Sequence, residues 1–214
     1  MKACFLLFLA ACLTLTCCTG QVDQNLKSVE IKEYNGTKLG SMTDFVENSI
    51  NGPQSVNIST YRLSVDGLVA NPQHYTYSEV LGHRSFLKVT TLDCVEGWSV
   101  KVLWHGVLVS DLVDEAKPSP GANTVIFHAY DGYTTSLPLQ YVRDKKILLA
   151  YKINNVTLPP ANGYPFQLVA EDKWGYKWIR WVDEIRVSND SSYKGYWESR
   201  GYSNDGDNSR PMFG

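Results

Sequence analysis

The 214-residue sequence lacks an excess of either charge: 20 Lys+Arg stand against 22 Asp+Glu, a formal net charge of −2. That balance argues against a nucleic-acid binder and against attachment to an anionic membrane by charge alone, since both need a surplus of cations. It also lacks a His-x-x-x-His pair. Its histidines (His74, His83, His105 and His128) are scattered, which disfavours a zinc site built from local sequence. There is no Walker loop, no dinucleotide fingerprint and no Gly-x-Ser-x-Gly elbow. Low-complexity runs are absent, and 6 Trp, 13 Tyr and 7 Phe rule out general disorder. Cysteine is scarce where a framework would need it. Of 5 Cys, Cys4, Cys12, Cys17 and Cys18 fall in the first stretch, and Cys94 alone belongs to the body. A lone thiol builds no intramolecular disulfide.

What is present begins with a leader. Lys2 precedes an apolar run from Ala3 to Cys18, short of the roughly 20 residues of a spanning helix and suited to a signal peptide. Leu15-Thr16-Cys17-Cys18 resembles a lipobox, with Cys18 as the residue to be lipidated, so the mature chain would be held on a membrane by acyl groups. The expected organisation is a signal peptide over 1–18, a polar linker over 19–54 ending in a short helix near Thr43 to Asn48, a folded body over 55–202, and a loose tail over 203–214.

Within the body, Tyr61 to Val65 alternates with period two and turns at Asp66-Gly67. A helix is expected over Tyr77 to Leu81, and a strand over Phe86 to Thr91 that ends at Leu92-Asp93-Cys94. Trp98 to Trp104 alternates and is expected to turn at His105-Gly106. Ser110 suits the N-cap of a helix from Asp111 to Ala116. Further strands are expected at Thr124 to His128, Thr134 to Leu137, Ile147 to Lys152, Phe166 to Ala170 and Trp178 to Val187. Short strands with few short helices predict a single β-rich α+β domain.

Cys94 is the thiol to explain. An isolated cysteine is commonly a buried small hydrophobe, and a thiol hydrolase would need a placed base that no local signature supplies. The surrounding residues are more specific. Thr90-Thr91-Leu92-Asp93-Cys94-Val95-Glu96-Gly97-Trp98 resembles the cofactor-cysteine segment of the sulfite oxidase-like molybdopterin oxidoreductases. Asp131-Gly132-Tyr133 through Leu139 is similar to that family's active-site tyrosine segment. Leu149-Ala150-Tyr151, Leu158-Pro159-Pro160 and Asn162-Gly163-Tyr164-Pro165-Phe166 follow its "LAY…LPP…GxP" order, and Lys173 to Trp181 resembles its "KYGxKxxKW" segment. The resemblance runs from about Tyr61 to Tyr202.

The resemblance implies the sulfite oxidase-type fold and a Mo-molybdopterin cofactor, with Cys94 as the protein thiolate on the metal. It implies Tyr133 beside the metal oxo group as the catalytic hydroxyl. Asp131, Asn162, Gln167, Trp178, Ile179 and Arg180 fall at or near positions that hold the pterin or its phosphate, Arg180 as a fork for phosphate. Two-electron oxygen-atom transfer on a small oxo or sulfur-containing substrate follows, outside the cytoplasm. The electrons would pass to or from a separate carrier, a cytochrome or a quinone-linked membrane protein.

The departures are definite. Gln167 stands where sulfite-oxidising members carry Arg. The asparagine-rich upstream cofactor segment has no clear counterpart, with Asn48 or Asn51 as its replacement. No haem motif is present, and the leader lacks twin arginines, so either a cofactor is inserted after export or the domain works without it. The other reading is a cofactor-free surface lipoprotein that uses the same fold as a binding module.

Overall fold

The computed structural model describes residues 29–214, so the leader and the lipidation expected at Cys18 lie outside the described residues. Among the described residues, the following twelve strands and three α-helices succeed one another in chain order. They are β1 (Glu33–Tyr34), β2 (Thr37–Lys38), β3 (Leu63–Gly67), β4 (Gln73–Tyr75), α1 (Tyr77–Leu81), β5 (Ser85–Asp93) and β6 (Ser99–Leu108). After these come α2 (Val109–Glu115), β7 (Thr124–Ala129), β8 (Thr134–Pro138), α3 (Leu139–Asp144), β9 (Leu148–Ile153), β10 (Val156–Thr157), β11 (Gln167–Val169) and β12 (Val182–Ser188).

One five-stranded sheet runs β10-β9-β6-β5, with β11 also pairing β9; the other runs β4-β3-β12-β7-β8. Pairing is antiparallel except between β3 and β12. Both sheets turn apolar faces into one core, in which Leu63, Val65, Phe127 and Ile185 join Val102, Trp104, Leu149 and Ile153. This single core makes one domain, as the β-rich composition predicts.

Several local expectations change. The turn expected at His105-Gly106 is a β-bulge instead, and β6 continues to Leu108 with a register shift against β9. Gly106 is required there, because an added Cβ would lie 2.3 Å from the Leu149 carbonyl oxygen. α2 starts at Val109 rather than being capped by Ser110; its first N–H bonds the Ile147 carbonyl at 3.0 Å. α3 had no sequence signal. The strand expected from Trp178 shortens to begin at Val182, because Trp181 takes a left-handed φ of 61°. α1 forms as expected, with Thr76 and Glu79 in a capping box.

The two flanks differ most from the sequence reading. Residues 29–54, expected as linker, are sewn to the body through polar groups. Glu30 is buried, and its carboxylate accepts from Ser41 Oγ (2.8 Å), Met42 N (3.0 Å) and Asn154 Nδ2 (2.7 Å). Asn154 in turn accepts from Leu103 N at 3.0 Å and donates to the Gly40 carbonyl at 2.7 Å. The helix expected near Thr43 to Asn48 is a 3-10 turn over Met42–Asp44, capped by Ser41. Residues 203–214, expected as loose, also close back: Trp174 N bonds the Gly206 carbonyl at 2.8 Å, Asn208 Nδ2 donates to Asp93 at 2.9 Å, and Lys173 pairs with Asp205 at 2.7 Å. Hydrogen bonds and isolated apolar contacts, such as Met42 in the core and Phe45 on Trp98 and Trp104, hold the flanks, and neither makes a periodic pattern that a sequence reading detects.

Candidate active site

A cleft of about 970 Å³, counted with its solvent mouth, opens where β5 ends, between the β7–β8 turn and the stretch joining β11 to β12. All eight body residues singled out in the sequence line it: Cys94, Asp131, Tyr133, Asn162, Gln167, Trp178, Ile179 and Arg180. The first flank completes it with Phe45, Val46 and Asn48, and the end of the body adds Trp197 and Tyr202.

Cys94 follows β5 directly. Its N–H donates to the Trp98 carbonyl at 2.8 Å and its carbonyl accepts from Gly97 N at 3.1 Å, a tight turn that Gly97 allows with a φ of 88°. The residue is 5% exposed, and Asn48 Nδ2 lies 3.3 Å from its sulfur. Burial pushes the thiol pKa up, and the Glu96 carboxylate adds to that. The Glu96 backbone N–H, the Asn48 amide and the Arg180 charge oppose it. The site therefore already contains groups that stabilise a thiolate, and the neutral thiol persists because desolvation is the larger effect.

Tyr133 stands opposite, after the Asp131-Gly132 turn. Asp131 Oδ1 accepts from Tyr133 N at 2.9 Å, and Asn51 Nδ2 fixes the Asp131 carbonyl at 2.8 Å. The Tyr133 hydroxyl donates to the Tyr176 carbonyl at 2.6 Å, and burial holds its pKa well above the ordinary tyrosine range. Below it lies an ion pair that the sequence reading missed. Lys177 Nζ and Glu198 Oε1 are 2.6 Å apart with both side chains fully buried. Lys177 also donates to the Ser136 carbonyl and Thr135 Oγ1 to Glu198. The pair ties the turn carrying Tyr176 to the arm carrying Trp197.

Asn162 ends a 3-10 turn and donates to the Met42 carbonyl at 3.3 Å. Gly163 follows with a φ of 95°; a Cβ there would lie 3.1 Å from both Gln167 Cβ and Arg180 Cγ. Arg180, expected to offer its fork to a phosphate, instead holds Glu47 (2.9 Å), the Ala161 carbonyl (2.9 Å) and Asn48 Oδ1 (3.2 Å). Trp178 is 3% exposed, donates to the Lys173 carbonyl at 2.9 Å and packs on Trp104, and Ile179 is equally buried. Trp181 is a core side chain, donating to the Pro160 carbonyl at 2.7 Å.

Gln167 is 3% exposed and lines the cleft. Trp98 Nε1 is buried without a partner beside the cleft. Unpaired buried polar groups are costly, and a ligand is a physical reason to keep them. A polar pterin is such a ligand, and the thiol of Cys94 is a soft donor suited to molybdenum. The residues present fit the group. Glu47, Glu96, Tyr176, Trp197, Tyr202 and Glu198 were not read from sequence; the Ser41–Asp44 capping box was the available signal that the flank before Glu47 was ordered.

The comparisons agree with this geometry. The family model described as the oxidoreductase molybdopterin binding domain matches residues 50–197. The chain is 31% identical over 156 residues to the uncharacterized oxidoreductase YuiH of Bacillus subtilis (strain 168), covering 72% of this chain and 78% of that one. It is 30% identical over 145 residues to the protein-methionine-sulfoxide reductase catalytic subunit MsrP of Gluconobacter oxydans (strain 621H), covering 59% of this chain but only 46% of that protein. The sulfane dehydrogenase SoxCD from Paracoccus pantotrophus shares the fold, with a TM-score of 0.63 at 23% identity, over 72% of this chain and 45% of that one. Cleft, thiol and family match converge: the chain belongs to the sulfite oxidase-like family of molybdopterin-binding oxidoreductases.

Proposed function

We propose that this protein is an extracytoplasmic oxidoreductase in which Cys94 ligates the molybdenum of Mo-molybdopterin. When bound, the cofactor supplies two-electron oxygen-atom transfer. The residues of the chain bind and orient. Asn48 and the Glu96 N–H favour the thiolate that a metal ligand must be, so loading the metal releases a proton. Gln167 and Asn162, which line the cleft, offer amides to the pterin, and Trp98 Nε1 is a buried donor left without a protein partner. Tyr133, held by Tyr176 and Asp131, presents a hydroxyl oxygen on the substrate side. Trp197 and Tyr202 narrow the entry for water. Electrons pass to or from a separate carrier, a cytochrome or a quinone-linked membrane protein. The leader and Cys18 would place the protein on the outer side of a membrane, anchored by lipid. Among the described residues no helix is long and apolar enough to cross a membrane.

The observation that carries this reading is the buried Cys94 thiol in a cleft that Gln167 and the partnerless Trp98 indole also line. The test is molybdenum and tungsten analysis with pterin fluorescence after acid release, on wild type and Cys94→Ala from the native host. About one metal per chain is expected in the wild type, sharply reduced in the variant. Folded, abundant and metal-free wild-type protein would overturn the proposal in favour of a cofactor-free binding module.

A further inference from the structure

The sulfur of Cys94 ends a chain of hydrogen bonds that starts on the first flank. Glu47 Oε1 accepts from Ser49 N at 2.7 Å and also from Ser49 Oγ. Its other oxygen accepts from Arg180 Nη1 at 2.9 Å, and the same Nη1 donates to the Ala161 carbonyl at 2.9 Å. The guanidinium also lies over the Trp181 ring, with Cζ 4.9 Å from its centroid. Held in this way, Arg180 turns Nη2 to Asn48 Oδ1 at 3.2 Å. Asn48 Nδ2 in turn donates to the Cys94 sulfur at 3.3 Å.

The order of these groups decides which end of the Asn48 amide meets the sulfur. A carboxamide has one accepting and one donating end, whereas a guanidinium only donates. The atom facing Nη2 is therefore the oxygen, and the NH2 group is left for Cys94. Turning the amide over would set donor against donor at Arg180 and place an oxygen on the sulfur. The contact is also sheltered, because Cys94 is only 5% exposed, and a hydrogen bond gains strength where water is excluded. The other donor to the sulfur, the Glu96 N–H, comes with the turn after Cys94. The Asn48 amide is instead brought from 46 positions earlier in the chain. A donor on a ligating sulfur draws electron density from it, weakens its donation to the metal and so shifts the metal's potential.

We propose that Asn48 is a positioning residue, locked by Arg180 and Glu47, whose amide hydrogen-bonds the Cys94 sulfur and thereby raises the reduction potential of the metal that this sulfur ligates. This rests on the oxidoreductase reading above. Arg180 and Glu47 act through the orientation of the amide, so their effect on the metal passes by way of Asn48.

The test uses holoenzyme from the native host, with molybdenum content measured first, as wild type, Asn48→Ala, Asn48→Asp and Glu47→Gln. Asn48→Ala removes the donor. Asn48→Asp keeps the shape and the tie to Arg180 but turns an oxygen toward the sulfur. Redox titration followed by the Mo(V) electron paramagnetic resonance signal should give a lower midpoint potential in both, lowest in Asn48→Asp. The sulfur-to-metal charge-transfer band should move to longer wavelength in the same order, because an unbonded sulfur holds its electrons less tightly. Glu47→Gln should shift both readings less, since the Ala161 carbonyl still holds Arg180. A purely structural role would lower loading without moving the band or the potential of the molecules that are loaded. An unmoved band and potential in loaded Asn48→Ala overturn the inference, as does a shift to higher potential. Loss of metal from both Asn48 variants to the level of Cys94→Ala also overturns it, and would make Asn48 an anchor of the cofactor. Metal-free wild type refutes the oxidoreductase reading and this inference with it, whereas loaded wild type with unmoved variants refutes the role of Asn48 alone.

Discussion

The two sides of the cleft differ in how far their polar groups are satisfied. On the Tyr133 side most groups are paired: hydroxyl to Tyr176 carbonyl, Asp131 to Tyr133 N–H, and Lys177 to Glu198 Oε1 beneath, with Glu198 Oε2 the exception. On the side of Gln167 and Trp98, the buried Trp98 indole N–H has no partner among the described residues. A satisfied wall is rigid before anything binds, whereas an unsatisfied one becomes complete only with a ligand in place. In the function proposed above, the first side would orient substrate and the second would receive the cofactor.

Substitutions should separate the two. Glu198→Ala is expected to have the largest effect, about 3–5 kcal/mol of stability, because it leaves the Lys177 ammonium buried and unpaired. Urea unfolding measures this, and Lys177→Met/Glu198→Leu should recover most of the loss. Tyr133→Phe should cost less, about 1–2 kcal/mol, through the unpaired Tyr176 carbonyl. A larger fall in turnover than in stability would assign the hydroxyl to substrate as well as to structure. Gln167→Leu should change stability by less than about 0.5 kcal/mol, while pterin content falls. Equal destabilisation by Gln167→Leu and Tyr133→Phe would break the comparison outright.

The smallest expected effect is electrostatic. Burial raises the pKa of the Cys94 thiol, so cofactor-free protein should be alkylated by iodoacetamide with an inflection above that of free cysteine. Asn48→Ala should move the inflection higher, because it removes a donor to the thiolate, and Glu96→Gln should move it lower. The same sign applies to folding. A thiol whose folded pKa is raised favours the native state at pH below its unfolded pKa, and that contribution is lost as pH rises through the folded value.

The sheets were largely legible in the sequence because alternation in β3 and in the first half of β6 reports burial directly. His105-Gly106 misled because a glycine that permits close contact with Leu149 looks the same as one that permits a turn. The eight cleft residues were found by family resemblance, not by periodicity. Glu47, Asn48 and Glu198 were harder, because their surroundings come from distant parts of the chain. Glu30 and Asn154 hold the first flank through bonds spanning 124 positions, and no local window contains them. The Ser-, Asn- and Asp-rich end read as loose because composition does not reveal that Asn208 reaches Asp93.

The parallel pairing of β3 with β12 has a consequence for how the protein is made. β12 lies in the middle of its sheet, between β3 and β7, although it is the last strand in the chain. Until it leaves the ribosome, β3 and β7 have no neighbour to share and that half of the core stays open to water. Long-range pairing of this kind closes late. The nascent chain therefore remains pliable through most of its synthesis, a condition that suits threading through a translocation pore, and the cleft first exists when nearly all of the domain has been made.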